Sequence, residues 1–377
     1  MSTEAQLAAA KARVSKLLGH LNGHAVEKVQ RLAQTLEAEE RDLHEVDYSV
    51  ALVGDVGVGK TTFLCHALGL LDAERKPILS VSGGRTTICE VAVVLGDEDV
   101  IEVTPTPTEV VEAYLNDWVE AECGSKRPSR DSVPTEIVRA LRNMCGLKAA
   151  VGKQDELKSL VAQHGNDPVA LRAALHSRLR YSARSTVRFP IEGHDRKSLL
   201  GNLRSLFSNL NFGKVADAPL ASLITIRLRP NLVSMPEGVR SFIDTRGVDE
   251  TVLREDILSR ARSRSVLLVL CSKLPSMPDQ TTRSILDVLR ESAVPSLGTE
   301  DFPTPGTFQE VVSRLTVLGL ARAPELTGVI DVAGDPIDEP SAALAHKRQE
   351  AETKVFDIGL PRECVLALDA HSEHAPE

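Results

Sequence analysis

Aromatic side chains are scarce, at 3% of 377 residues, so the hydrophobic core must be built from Leu, Val, Ile and Ala. Hydrophobic residues still make up 42% of the chain, which is enough for a substantial core. No apolar run approaches the roughly 20 residues that a membrane-spanning helix needs. The first residues, Met1 to Gln6, lack the basic and apolar stretches of a secretory signal. We therefore expect a cytoplasmic protein without a membrane partner.

The cysteines are few and scattered, and no two of them form a C-x-x-C pair. This spacing excludes the usual zinc-ribbon and disulfide frameworks and favours reduced, mostly buried thiols. The histidines in the middle of the chain likewise lack metal-ligand spacing. The six cysteines are Cys65, Cys89, Cys123, Cys145, Cys271 and Cys364.

The net charge of −9 is distributed unevenly. Residues 121–230 contain 19 basic and 9 acidic residues, a local net charge of +10. A basic segment in an acidic protein can bind a polyanion, such as a nucleic acid, or an acidic partner, or it can pack against the acidic remainder of its own chain. The charges are dispersed instead of forming a tight basic run, which favours packing within the chain.

A glycine-rich segment at residues 54–61 matches G-x-x-x-x-G-K-[ST], the pattern of a phosphate-binding loop. The apolar run 48–53 predicts a buried strand before it, and residues 61–68 predict a helix after it. The glycines let main-chain N–H groups face phosphate oxygens, and the helix N-terminus adds a partial positive charge. The predicted nucleotide-binding residues are Gly54, Asp55, Val56, Gly57, Val58, Gly59, Lys60, Thr61 and Thr62.

A second segment, Phe242 to Gly247, supplies a metal partner for this loop. We expect Lys60 to reach the β- and γ-phosphates and the Thr61 hydroxyl to ligate Mg²⁺. Asp244 ends a hydrophobic strand, where a carboxylate can hold Mg²⁺ through water. Gly247 follows three residues later and completes D-x-x-G. The sequence therefore predicts a Mg²⁺-dependent nucleoside-triphosphate site.

With these two motifs the chain resembles the P-loop GTPases, in the dynamin-like and translation-factor-related class, over about residues 47–105 and 219–377. The resemblance implies that the Gly247 N–H contacts the γ-phosphate. It also implies that the loop around residues 80–88 closes on Mg²⁺ through Thr87, with Thr86 as an open alternative. Arg85 in that loop is a candidate catalytic residue beside Lys60 and Thr87, and Arg246 is a weaker one.

The guanine-specificity motif [NT]-K-x-D is degenerate. The resemblance puts it after the strand near 315–319, but residues 319–324 contain neither the Lys nor the Asp. The segment Ser272 to Pro275 imitates the motif one strand too early and has Pro in place of Asp. Val248 occupies the position of the water-orienting Gln of Ras-like GTPases. GTP is the favoured nucleotide, and ATP stays open.

The order of strand and helix patterns predicts an α/β fold, a three-layer P-loop NTPase domain with a mostly parallel sheet. Two patterns, at 88–94 and 100–103, read as a hairpin closed by residues 96–99. The predicted organisation is an N-terminal helical segment (1–46), the first part of the NTPase domain (47–107), a helical insertion (108–218) and the second part of the domain (219–377).

These observations predict a hydrolysing, GTPase-like switch protein that acts through conformational change or self-assembly. The apolar faces of the N-terminal helices and the helical insertion are the expected surfaces for a second copy or a protein partner. Two alternatives remain open: a nucleotide-binding scaffold with little turnover, and an ATPase subunit of a nucleic-acid-associated, defence-type complex.

Overall fold

The computed structural model describes most of the chain. The described ranges are 3–18, 47–79, 88–124, 133–147, 155–247, 255–263, 265–293, 315–321, 335–357 and 360–369, with the single positions 29, 33, 326, 329 and 330. Within them, no helix is both long and apolar enough to cross a membrane.

One sheet of nine strands organises these residues, in the order β4-β3-β5-β2-β6-β1-β7-β8-β9. The strands are β1 Tyr48–Gly54, β2 Glu90–Leu95, β3 Val100–Pro105, β4 Arg188–Pro190, β5 Ala221–Leu228, β6 Val239–Asp244, β7 Val266–Lys273, β8 Leu315–Ala321 and β9 Val365–Asp369.

Ten helices accompany the sheet in the described part of the chain. They are α1 Thr3–Leu18, α2 Lys60–Ala67, α3 Thr108–Glu122, α4 Thr135–Met144, α5 Glu156–Gln163, α6 Pro168–Leu179, α7 Arg196–Asn211, α8 Glu255–Arg262, α9 Gln280–Ala293 and α10 Pro340–Asp357. Of the predicted N-terminal helical segment, residues 19–46 lie outside the described residues except for two single helical positions, 29 and 33.

The last five strands in this order, β6, β1, β7, β8 and β9, are parallel, and β1 lies between β6 and β7. Successive side chains of β1 face opposite sides of the sheet. Leu52 joins the core on one side, and Ala51 and Val53 join the core on the other. A strand buried on both faces is typical of parallel sheets covered by helices. The predicted α/β class with a mostly parallel sheet is confirmed.

The predicted hairpin of β2 and β3 is wrong, because β5 lies between these two strands. β2 pairs parallel with β5, and β3 pairs antiparallel with β5. The connection 96–99 is bound to the end of β5 instead of closing on itself. The Gly96 N–H donates to the Leu228 carbonyl (3.0 Å), and the Asp99 carboxylate accepts from the Arg229 N–H (3.0 Å).

Residues 108–218, the predicted helical insertion, contain helices α3 to α7 and also the short strand β4, which the sequence did not indicate. β4 pairs antiparallel with β3. Buried residues of the insertion share one hydrophobic core with β1, for example Leu115, Leu141, Leu171 and Phe207. The opposite core receives α8, α9 and α10 through residues such as Ile257, Ile285 and Val355. Helices thus cover both faces of the sheet.

Candidate nucleotide-binding site

The glycine-rich loop connects the carboxyl end of β1 to the first turn of α2. Gly59 precedes the helix with φ +110°, a backbone conformation that L side chains rarely adopt. Lys60, the first helical residue, is only 6% exposed. Its ammonium donates to the carbonyl oxygens of Gly54 (2.9 Å) and Asp55 (3.0 Å). The lysine therefore lies across the loop.

The next helical residue, Thr61, meets β6. Its hydroxyl donates a hydrogen bond to Oδ2 of Asp244, the last residue of that strand. The following residue, Thr245, donates to the Leu52 carbonyl through its N–H (3.1 Å) and its hydroxyl (2.8 Å). These bonds hold the end of β6 against β1 and fix Asp244 beside the loop.

Asp244 is 1% exposed, and its Oδ1 atom has no hydrogen-bond partner among the described residues. Burial raises the pKa of this carboxyl above its usual range, against the attraction of Lys60 and the hydrogen bond from Thr61. A buried carboxylate oxygen without a partner is costly. Hydroxyl and carboxylate oxygens are the ligand types that Mg²⁺ prefers, so this pair fits such an ion.

Gly247 of D-x-x-G lies against the glycine-rich loop. A Cβ atom placed on Gly247 would be 2.8 Å from the Val56 main-chain nitrogen and 2.3 Å from its Cγ2 atom. Only a residue without a side chain allows this approach. The two motifs, 190 residues apart in sequence, are therefore in van der Waals contact.

The structure thus brings together residues 54–62, Asp244 and Gly247. The other predicted residues, Arg85, Thr86 and Thr87, lie outside the described residues and stay predictions. The described chain stops at Leu79, which is fully buried, and resumes at Ile88. The Ile88 N–H donates to Oδ1 of Asn211 at the end of α7 (3.1 Å), which ties this point to the insertion.

Arg246 has a different environment from the loop residues. Its side chain lines a cavity of about 480 Å³ together with Glu90, Tyr114 and Ile137. This cavity lies between the sheet and the first helices of the insertion. Glu90 is bound there by Arg260 of α8, with Nη2 to Oε2 at 2.6 Å.

Sequence reasoning missed two contacts to the glycine-rich loop. Thr281 in the first turn of α9 donates to Oδ1 of Asp55 (2.5 Å). Leu320 near the end of β8 is 4% exposed, and its Cδ1 atom lies 3.2 Å from a Cβ atom built on Gly59. An apolar side chain therefore touches the loop at the strand where the guanine motif was sought. No local pattern marks either residue, because each contact is formed only by the folded sheet.

Acidic residues of the first NTPase part bind several arginines of the basic segment. Arg204 pairs with Asp72 (2.9 Å), and Arg227 pairs with Glu102 (2.8 Å). Arg188 pairs with both Glu98 and Glu102, and Arg229 pairs with Asp99. This pattern agrees with packing within the chain, the favoured interpretation of the charge asymmetry.

The six cysteines form no disulfide in the described structure. All six are free, and no group of three or more His, Cys, Asp or Glu residues suited to a metal occurs among the described residues. Burial raises the pKa of the Cys65 and Cys271 thiols, next to the loop, to about 12. These thiols are therefore protonated at neutral pH.

No protein-family model matches the chain, and no curated protein matches it. The solved structures that are similar to the chain include two that are both described as an oligomerised bacterial dynamin pair that provides a mechanism for long-range sensing and tethering of membranes. Their identities are 13% and 11%, with TM-scores of 0.35 and 0.36 over 97% of this chain. The chain spans 38% of the length of each. These values are too low to carry a conclusion about fold or activity.

Proposed function

We propose that the chain is a Mg²⁺-dependent P-loop nucleoside triphosphatase that works as a GTPase-like switch. The observation that carries the proposal is the meeting of Lys60, Thr61 and Asp244 at one end of β1. A lysine, a hydroxyl and a buried carboxylate are the groups that phosphoryl-transfer sites of this class use.

Lys60 leaves its two carbonyl partners and binds the β- and γ-phosphates when a nucleotide enters. The N–H groups of the loop and the N-terminus of α2 stabilise the remaining phosphate charge. Thr61 and Asp244 would hold Mg²⁺, which would supply charge neutralisation at the phosphate oxygens. The reaction is in-line attack of water on the γ-phosphorus. It forms one P–O bond, breaks the bond to the β–γ bridging oxygen, and releases nucleoside diphosphate, inorganic phosphate and a proton. Arg85 and Thr87 complete the charge stabilisation.

Gly247 makes the site responsive to the γ-phosphate. It lies on the loop at Val56, so its N–H can bind a third phosphate held by the loop, and the position of the 245–247 segment then depends on that phosphate. The same segment carries Arg246, which borders the insertion. Hydrolysis then changes how the insertion packs, and this change is passed to a second copy or a protein partner.

GTP is the proposed nucleotide because D-T-R-G is the motif that the chain shares with GTPases. The contact of Leu320 with the loop, where the guanine motif was sought, favours a second candidate, a nucleotide-binding module with weak base selection and little turnover. Nucleic-acid-stimulated ATPase activity is the third candidate.

Denaturation of the purified protein releases any tightly bound nucleotide. Chromatography of the released nucleotide then identifies its base. Phosphate release from GTP and ATP, with and without DNA, RNA or lipid vesicles, separates the three candidates. Lys60→Ala must abolish binding or turnover, whereas Lys76→Ala is the control. Lys76 is exposed, and its ammonium pairs with the Glu74 carboxylate. Equal affinities and rates for both variants would remove the proposal.

A further inference from the structure

The glycine-rich loop contains a carboxylate, Asp55, where triphosphate charge is to be bound. Its Oδ1 atom accepts a hydrogen bond of 2.5 Å from the hydroxyl of Thr281. Thr281 is 4% exposed and stands 226 residues further along the chain, in the first turn of α9. Asp55 is therefore tied to a helix that no nucleotide motif includes.

Thr281 is well fixed for this role. The neighbouring Thr282 donates its N–H to Oδ1 of Asp279 (2.8 Å), which caps the start of the helix. The Thr282 hydroxyl forms a buried hydrogen bond of 2.7 Å with the Ser272 hydroxyl at the end of β7. Further along, α9 buries Ile285 and Leu286 in the core beneath the sheet. The helix start cannot move without breaking these contacts.

A carboxylate in this loop works against triphosphate binding unless its position is controlled. Like charges a few ångström apart repel each other, and the repulsion grows as the site loses water. The Asp55 main-chain oxygen already binds Lys60 (3.0 Å), so the residue adjoins the group proposed to hold the phosphates. Rotation of its side chain toward them would weaken binding, and the bond to Thr281 opposes that rotation.

We propose that Thr281 is a positioning residue that holds the Asp55 carboxylate on α9 and away from the phosphates. This inference rests on the proposed nucleotide site and adds a determinant from outside both motifs. It makes triphosphate affinity depend on the start of α9. Any partner or conformational change that shifts this helix therefore changes nucleotide affinity through Asp55.

The test compares Thr281→Val with its matched control Thr282→Val in the full chain. Both substitutions replace a buried threonine hydroxyl, but only Thr281 bonds to the loop. Affinities are measured with a fluorescent guanosine triphosphate analogue and the corresponding diphosphate, with Mg²⁺. We expect Thr281→Val to weaken triphosphate binding roughly three- to tenfold, with a smaller loss for the diphosphate. Thr282→Val removes one contact of the helix start, while the Asp279 cap and the buried Ile285 and Leu286 remain, so we expect both affinities to stay within about twofold. Thr281→Ser keeps the hydroxyl that donates to Asp55 and is expected to restore binding.

The double variant separates charge control from simple destabilisation. In an Asp55→Asn background no carboxylate is present, so the loss caused by Thr281→Val disappears. A loss that persists in this background, an equal loss for both nucleotides, or wild-type affinity in Thr281→Val overturns the inference. The proposed function still stands in those cases if Lys60→Ala binds no nucleotide. A wild-type chain that binds neither nucleotide removes both proposals.

Discussion

Thr61 donates a hydrogen bond to Asp244 across 183 residues of sequence, joining the first turn of α2 to the end of β6. The parallel pairing of β1 with β6 produces this contact, because it brings both carboxyl ends to the same edge of the sheet. The acceptor is buried, and its second oxygen has no partner among the described residues. The unpartnered oxygen therefore destabilises the fold, and an ion bound to it would offset that cost.

Asp244→Asn tests this balance between function and stability. The amide removes a buried charge while keeping the shape of the side chain. We expect the free energy of unfolding without nucleotide to stay equal or to rise by about 1 kcal/mol. We expect Mg²⁺-dependent turnover to lose several kcal/mol of transition-state stabilisation. Denaturant unfolding and Mg²⁺ titrations of phosphate release measure the two effects.

The exposed Asp357 at the end of α10 provides the control for this experiment. Asp357→Asn removes one negative charge at a position far from Asp244 in sequence. It should leave both the free energy of unfolding and the Mg²⁺ dependence of phosphate release unchanged. Overlapping Mg²⁺ titrations of wild type and Asp244→Asn would show that Asp244 has no part in metal binding.

Gly247→Ala is expected to separate triphosphate from diphosphate binding. The new Cβ atom would lie 2.8 Å from the Val56 main-chain nitrogen, so the 245–247 segment has to move away from the loop. The N–H proposed to bind the γ-phosphate moves with it. Triphosphate affinity should fall by about 1.5–3 kcal/mol, the usual contribution of a hydrogen bond to a charged group, whereas diphosphate affinity changes little.

Gly201→Ala is the matched substitution. Gly201 lies within α7, and a Cβ atom there would meet nothing within 4 Å. Alanine should stabilise this helix by about 0.5–1 kcal/mol, and nucleotide affinity should stay unchanged. If Gly247→Ala keeps wild-type preference for the triphosphate, the segment does not sense the third phosphate.

The features that sequence predicted are those encoded locally. The loop around Lys60, the strand before it and the carboxylate at the end of a second apolar strand each have a signature within about ten residues. The wrong hairpin of β2 and β3 shows the limit. Residues 96–99 have turn composition, but composition does not show that β5, more than 120 residues later, pairs between the two strands.

The contacts of Thr281 and Leu320 were unpredictable for the same reason. Each contact depends on the order of the parallel strands, in which β7 and β8 follow β1 across the sheet. That order cannot be derived from a single sequence. A threonine in a helix start and a leucine in a strand are ordinary residues by local pattern. Their importance comes only from the glycine-rich loop on which they lie.

Arg184 is another residue whose role only the fold reveals. Its guanidinium donates to the carbonyl oxygens of Leu179 (2.9 Å) and Met144 (2.8 Å), at the ends of α6 and α4. It also donates to carbonyls of the segment before β5, at Val215 (3.1 Å), Ala216 (2.5 Å) and Ala218 (3.3 Å). The arginine thus joins two insertion helices to the chain that re-enters the sheet.

Arg184→Lys should destabilise the protein by about 1–3 kcal/mol. A lysine has its three N–H donors on one atom, so it cannot reach all of the carbonyl oxygens that surround the planar guanidinium. Some of these oxygens therefore lose their hydrogen-bond donor. Denaturant unfolding measures the change. Arg178→Lys, an exposed position on α6, should stay within about 0.5 kcal/mol of wild type. An equally small change for Arg184→Lys would show that water can replace the arginine as the hydrogen-bond donor to these carbonyl oxygens.

Arg85→Ala is expected to affect chemistry more than binding. Arg85 stands two residues before Thr87 in the 80–87 segment. The residues on either side of this segment, Leu79 and Ile88, are buried, and the Ile88 N–H donates to the Asn211 side chain. If Thr87 closes on Mg²⁺ and the γ-phosphate, Arg85 comes within reach of the same phosphate, from its own chain or across a dimer. A guanidinium contact formed only in the transition state lowers kcat and kcat/KM together when it is removed.

The hydrolysis rate of Arg85→Ala should therefore fall roughly tenfold to a thousandfold, a fraction of the full arginine-finger effect, with nucleotide affinity nearly unchanged. Single-turnover hydrolysis and equilibrium binding separate the two quantities. A wild-type rate per molecule that rises with protein concentration assigns the arginine to a neighbouring copy, since only a contact across two chains depends on association. A variant that binds ten times more weakly but turns over normally at saturation would make Arg85 a ground-state anchor, contrary to the role proposed for it.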